Sequence, residues 1–360
     1  MKDLLRDLDR WHEAGRRIAL ARVVDVEGSG PREAGAAMAV TAEGEVAGSV
    51  SGGCVEGAVV EEALAVLEAG EGRLVSFGYS DDEAFAVGLT CGGTVHLFIE
   101  PLTSYEELRA AVLDEAAMAL ATVVDGPGLG STLQVGSAGD PTGTLGDPDL
   151  DRVVTRDARG QLEAGLTEVR HYGPHGEARE DTVAVFIQTF APPPRMLIFG
   201  AVDFTAALAR AAKLLGYRVL VCDAREVFAT EERFPMADEV VVEWPHRLLE
   251  RMGHELGPRD AVCVLTHDHK FDVPALVAAL GTEAGYLGAM GSRRTDAERT
   301  ERLRAEGVDD EALARVMAPI GLDLGARTPE ETAVSICAEI IACRTGRPAP
   351  SLRDAAGPIH

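Results

Sequence analysis

Two short glycine-framed stretches in the first hundred residues carry thiols. In Ser51-Gly52-Gly53-Cys54-Val55-Glu56 the cysteine stands just before an apolar pattern of helical period, where the helix dipole favours a thiolate. Gly52 and Gly53 let a ligand approach the backbone and leave amides to meet it. Thr90-Cys91-Gly92-Gly93 repeats the pairing of thiol and glycine. Such loops suit a ligand-contacting or sulfur-handling cysteine. Two glycine turns with incidental thiols are the plain alternative.

Three more stretches in the second half invite chemistry. Gly200-Ala201-Val202-Asp203 follows the branched run Met196–Phe199, where a dinucleotide site would hold a pyrophosphate on glycine amides. Val202 fills the place of the second glycine, and Asp203 adds negative charge at a helix start. Asp223 ends the next branched run, about where an acid would bind a ribose hydroxyl. The expectation is a Rossmann topology that does not hold NAD(P) in the usual way, with an NAD(P)-dependent oxidoreductase as the rival. Thr266-His267-Asp268-His269-Lys270-Phe271-Asp272 offers two histidines and two aspartates. Adjacent loop residues rarely converge on one metal, so His267 and Asp268 are expected in a polar ligand pocket or as a helix cap. Gly288–Thr295 combines a flexible backbone with Ser292, Arg293 and Arg294, a candidate anion clamp.

The elements that must position these residues follow from periodicity. Leu4, Leu5, Leu8 and Trp11 share a helix face, and Ile18 to Val26 reads as a strand. Short strands at Ala37–Thr41 and Glu45–Val50 flank the turn Glu43-Gly44. A helix from Val55 to Leu67 meets its cap at Gly70, and strands return at Arg73–Gly78 and Thr94–Glu100. A helix is expected over Tyr105–Met118, then short strand-like pieces up to a buried strand at Thr182–Phe190. Beyond the prolines of Ala191-Pro192-Pro193-Pro194, strands at 196–199, 218–222, 239–242, 261–266 and 284–287 alternate with helices at 204–215, 273–280 and 295–306. That alternation implies a parallel sheet wound by helices on both faces. The fold class is therefore α/β. A mixed α+β domain over 1–190, with 105–180 as its continuation, precedes a linker at 191–194. A Rossmann-like doubly wound domain follows over 195–346, then a tail over 347–360.

Composition narrows the partners. Against 34 Lys and Arg stand 59 Asp and Glu, a net charge of −25 over 360 residues. Such a chain repels phosphate backbones and anionic lipid, so neither nucleic acid nor membrane is an expected partner. Six cysteines without a CxxC pair argue against a disulfide framework or a structural zinc site. The start, MKDLLRDLDRWHEAGRR, lacks a secretory core, and no stretch approaches ~20 apolar residues. The expected compartment is the cytoplasm.

Longer runs carry a family resemblance. Glu27-Gly28-Ser29-Gly30-Pro31-Arg32, the Gly48–Glu56 segment with SGGCVE, and Gly88–Gly93 with CGG resemble the XdhC/CoxI family. Phe228-Ala229-Thr230, Arg233-Phe234-Pro235, Thr266–Asp272, Gly288–Thr295 and the run from Pro319 to Glu331 extend the resemblance. The family comprises accessory proteins of xanthine dehydrogenase and related molybdenum hydroxylases. The resemblance implies a non-catalytic chaperone that binds the molybdenum cofactor (molybdopterin) and shelters it while a cysteine desulfurase helps install its sulfido ligand. Insertion into a xanthine dehydrogenase- or CO dehydrogenase-like client would follow. Cys54 and Cys91 are then the expected reactive thiols. The expected cofactor contacts are Gly52, Gly53, Glu56, Gly92, Gly93, Gly200, Asp223, His267, Asp268, Ser292, Arg293 and Arg294, with no metal held by protein side chains. Other members lack a cysteine at position 54, so the family's work does not demand that thiol. Oligomeric state stays open, a homodimer among the options.

Overall fold

Ile18–Asp25 reads IALARVVD, and Met118–Asp125 reads MALATVVD. In the computed structural model, which describes residues 1–28, 30, 32–78, 93–113 and 117–355, this likeness is architectural. The first copy runs α1 (Leu5–Glu13), β1 (Ile18–Glu27), β2 (Ala37–Thr41), β3 (Val46–Gly48), α2 (Glu56–Ala69), β4 (Arg73–Phe77) and β5 (Thr94–Pro101). The second runs α3 (Tyr105–Leu113), β6 (Met118–Asp125), β7 (Thr132–Gly136), β8 (Thr142–Gly143), α4 (Pro148–Ala164), β9 (Glu168–Tyr172) and β10 (Val183–Phe190). Each copy folds into a five-stranded antiparallel sheet, ordered β3-β2-β1-β5-β4 and β8-β7-β6-β10-β9. Even the irregularity recurs, because the register slips between Val23 and Asp25 in β1 and between Val123 and Asp125 in β6.

Each sheet buries both faces. The stripe Val59, Ala63 and Val66 of α2 covers Ala19, Ala21 and Val23, while Leu150, Val154 and Ala158 of α4 cover Ala119, Ala121 and Val123. The opposite faces meet each other, with Val24 and Phe98 from one copy against Val124 and Phe186 from the other. Strands covered on both sides lose the polar alternation of a half-exposed strand, which explains the near-continuous apolar runs in β1 and β6. Arg22 is the exception on this inner face. It is fully buried and donates to Glu100, to Thr122 (3.2 Å) and to Gln188 (3.5 Å). Thr122 holds the place of Arg22 in the second copy, and Gln188 that of Glu100.

Two expectations for this region need correction. The helix expected over Tyr105–Met118 is described over Tyr105–Leu113, and Met118 itself opens β6. The strand-like pieces after it conceal α4, capped by the Asp147 carboxylate and closed by Gly165 in the left-handed conformation.

The chain divides into two compact units, Met1–Pro192 and Pro193–Asp354. The second contains β11 (Arg195–Phe199), α5 (Asp203–Leu214), β12 (Arg218–Cys222), β13 (Glu239–Val241), α6 (Pro245–Met252) and β14 (Ala261–Val264). It continues with α7 (His269–Leu280), β15 (Tyr286–Ala289), α8 (Arg293–Ala305), α9 (Asp310–Leu313), β16 (Val316–Met317) and α10 (Pro329–Thr345). The sheet is parallel throughout, ordered β13-β12-β11-β14-β15-β16, and separate apolar cores lie on its two faces. This is the expected doubly wound fold. Its fifth strand is Tyr286–Ala289 rather than 284–287, and α7 begins at His269 rather than Val273. Neither β16 nor α10 has a counterpart among the expected elements. Among the described residues no helix is long and apolar enough to cross a membrane.

Candidate functional site

Seven residues connect β3 to α2, where the equivalent connection in the second copy has four. The longer loop holds Cys54. Its organiser is Glu56, the first residue of α2, whose carboxylate accepts from Ser49 Oγ (2.6 Å), Ser51 Oγ (2.5 Å) and the amides of Ser51 (2.9 Å), Gly53 (2.9 Å) and Val55 (3.2 Å). Ser49 Oγ takes the Gly52 amide, and Ser51 Oγ takes that of Cys54. Burial pushes the Glu56 carboxyl up, but the Ser49, Ser51 and backbone bonds outweigh this and hold it at about 2. The glycines adopt positive φ, as their type allows. The amides that the sequence seemed to offer a ligand are therefore spent inside the loop. Glu56 acts here as an internal anion that fixes the backbone around a half-buried Cys54. Gly93 is described and buried, whereas Cys91 and Gly92 lie outside the described residues.

The second unit gathers its polar residues at the carboxyl ends of the parallel strands, where open α/β sheets place ligands. Gly200 ends β11 at a positive φ, and a Cβ there would sit 2.8 Å from the Thr266 methyl group. The next amide, Ala201 N, donates to Asp223 Oδ2 (2.8 Å). Arg225 closes on the same carboxylate through its backbone N and Nε to Oδ1 (both 2.9 Å) and through Nη2 to Oδ2 (2.7 Å). Burial alone would raise the Asp223 pKa, but these bonds keep it below the usual carboxylate range. Asp223, expected to meet a ligand, is thus held here by the Ala201 amide and the Arg225 guanidinium.

Beyond β14, Asp268 caps α7 by accepting from Lys270 N (3.1 Å), so the run expected in a loop is mostly the first turn of a helix. His267 is exposed beside it. Thr266 Oγ1 donates to Asp272, which is fully buried and pushed upward in pKa by that burial. Beyond β15, Ser292 caps α8 through Thr295 N (3.1 Å). Arg293 and Arg294 point outward, the latter 89% exposed and paired with Glu298 at 3.0 Å. The guanidinium that does enter the site is one that sequence reading missed. Arg299 is 1% exposed and lies beneath Gly291, where an added Cβ would meet Nη2 at 2.8 Å. Nη2 donates to the Met290 carbonyl (2.6 Å), and Nε stands 3.8 Å from Asp272 Oδ2.

Among the described residues, nine buried side-chain polar atoms lack a hydrogen-bond partner. Four belong to this cluster: Arg299 Nε and Nη1, Asp272 Oδ2 and His269 Nδ1. Arg299 Nε and Asp272 Oδ2 face each other as a buried ion pair, whereas Arg299 Nη1 and His269 Nδ1 have no hydrogen-bond partner, at the strand ends where open α/β sheets place ligands. Among the described residues no three His, Cys, Asp or Glu side chains are grouped to hold a metal ion.

Comparison with known proteins fits this layout. Residues 11–78 match the model described as "XdhC and CoxI family", and residues 196–340 match "XdhC Rossmann domain". Across 345 residues, 94% of this chain and 96% of the relative, the sequence is 30% identical to a Bacillus subtilis (strain 168) protein named as a probable xanthine dehydrogenase subunit. The chain belongs to the XdhC and CoxI family. Another relative is the Escherichia coli (strain K12) protein named "Molybdenum cofactor insertion chaperone PaoD", 27% identical over 92% of this chain and 85% of its own length. A crystal structure described as a xanthine dehydrogenase from Bacillus halodurans superimposes with a TM-score of 0.66 at 25% identity, covering 96% of this chain and 97% of that one. In this XdhC and CoxI family member, each unit thus has a candidate site of its own: the Glu56-organised thiol loop in the first and the Asp272–Arg299 cluster in the Rossmann unit.

Proposed function

We propose that this protein binds the molybdenum cofactor as cargo and delivers it to a molybdenum hydroxylase, with a cysteine desulfurase supplying sulfur on the way. The observation that carries this reading is the near full-length similarity to a protein named as a molybdenum cofactor insertion chaperone. The cluster beneath Gly291 suits such cargo, because the pterin carries a phosphate whose oxygens can accept from the unfilled N–H groups of Arg299. Arg293, Ser292, His267 and Asp268 border that cluster and are proposed as outer contacts. The thiol loop contributes differently. Glu56 fixes the backbone at Gly52 and Gly53, so Cys54 is the loop's group for sulfur chemistry, and Cys91 with Gly92 and Gly93 is proposed to serve beside it.

An NAD(P)-dependent reaction has less to support it, since Val202 crowds the pyrophosphate position and Asp223 is engaged by Arg225. Anaerobic ultrafiltration of the purified chain with freshly released cofactor tests the proposal. Saturable binding with a Kd of about 1 μM is expected. Absence of saturation at roughly 100-fold higher concentration refutes it.

A further inference from the structure

The first unit carries a groove that neither site uses. Leu5 of α1 and Val112 of α3 belong to one apolar core, so these two helices, equivalent elements of the two copies, meet along a seam. Asp9 fastens the seam by accepting from Arg109 Nε (2.7 Å) and from the Tyr105 hydroxyl. Beside it opens a groove of about 550 Å³ that Leu5, Val112 and Leu113 line with apolar surface. Leu5 and Val112 are nearly covered, but Leu113 is 50% exposed and leaves apolar area for a partner to bury. A groove clamped in this way needs little ordering to receive a ligand.

The charge comes from α1 and the turn before it. Lys2, Arg6 and Arg10 line the groove one helical turn apart, so three cations follow it over about 12 Å. Arg10 is engaged by Asp7 at 2.9 Å. Among the described residues no carboxylate lies within ion-pair distance of Lys2 or Arg6, and both are exposed. Of the acids that line the groove, Asp9 is spent on Tyr105 and Arg109, and Glu13 lies past Arg10 on the helix. In a chain of net charge −25, two unpaired cations beside a half-exposed leucine select for an acidic, partly apolar ligand.

We propose that this groove docks a short segment of a partner protein in which carboxylates alternate with apolar side chains. The carboxylates pair with Lys2 and Arg6, and an apolar side chain covers Leu113. A length of about 12 Å takes roughly four residues of extended chain or two turns of helix. The inference stands independently of the cargo reading, and its failure would leave that reading untouched.

Fluorescence anisotropy of labelled peptides titrated with the full chain tests it. The probes are a short peptide alternating leucine with glutamate, the same peptide with lysine for glutamate, and the same with serine for leucine. The first is expected to bind saturably with a Kd below about 100 μM, and more weakly as salt rises from about 0.1 M to about 1 M. The other two should bind at least roughly tenfold more weakly. Arg6→Glu and Leu113→Ser should each weaken binding of the first peptide by roughly fivefold, the scale of one exposed ion pair or half a leucine burial. Three results overturn the proposal: no saturation by the leucine–glutamate peptide, equal affinity for either counterpart, or unchanged affinity in an Arg6→Glu protein with native circular dichroism. Sedimentation supplies a fourth, since self-association of the chain that Arg6→Glu abolishes would give the groove to a second copy instead.

Discussion

Glu56 and Asp223 teach the same lesson at the residue scale. Both carboxylates are expected from sequence to meet a ligand, and both are satisfied by their own chain. A carboxylate held near 2 contributes stability that is fully present above its ordinary value of 4.5 and is lost as pH falls from there toward 2. Glu56→Gln removes the charge but keeps the shape, so it is expected to cost about 1–3 kcal/mol at pH 7. Urea unfolding at pH 7 and again near pH 2.5 checks this, since the gap between wild type and variant should shrink at the lower pH. A gap that stays constant or widens would contradict the role given to Glu56. Arg299→Met carries the matching test for binding. It removes the buried cation and keeps the bulk, so cofactor affinity should fall by roughly tenfold or more. Arg294→Met, on an exposed and already paired side chain, should change it little.

Single turns position both sites at the scale of elements. The bend from β11 into α5 depends on Gly200, whose φ of +110 and contact with Thr266 leave no room for a methyl group. Gly200→Ala is expected to destabilise the protein by about 1–3 kcal/mol, measured by thermal unfolding. Much of this level is legible in sequence. The parallel strands declare themselves as short apolar runs between helical patterns, and Gly70 and Asp268 cap where their types suggest. What escaped reading has physical causes. The helix α8 is polar almost throughout, so Arg299 looks solvated until one notices that it shares a face with buried Leu303, four residues on. The helix α4 hides among Asp and Arg, although Leu150, Val154, Ala158 and Leu162 recur every four residues between its Asp147-Pro148 start and its Gly165 stop. Burial at β14 and β15 displaced element ends by two to four residues, because apolar runs continue into the loops they feed.

The first unit, taken whole, is one motif used twice, and the likeness of IALARVVD to MALATVVD was the available signal for it. The two copies meet through Phe98 and Phe186 at matching register positions, with Arg22 bridging to both partners of the opposite sheet. Breaking a buried charge pair by removing one member costs about 3–5 kcal/mol. Arg22→Thr should therefore destabilise strongly. Adding Glu100→Gln, which makes the first copy match the second, should recover at least part of that loss in urea unfolding. No recovery would show that Arg22 acts through packing alone.

The proposed delivery of the molybdenum cofactor to a client enzyme can be followed in vitro. Its most direct measurement is the activity regained by a molybdenum hydroxylase purified without cofactor, when supplied with cofactor alone or with cofactor preincubated with this chain. Preincubation is expected to raise the regained activity several-fold, and Arg299→Met to abolish most of that gain. Equal reactivation with and without the chain would contradict cofactor delivery by this protein.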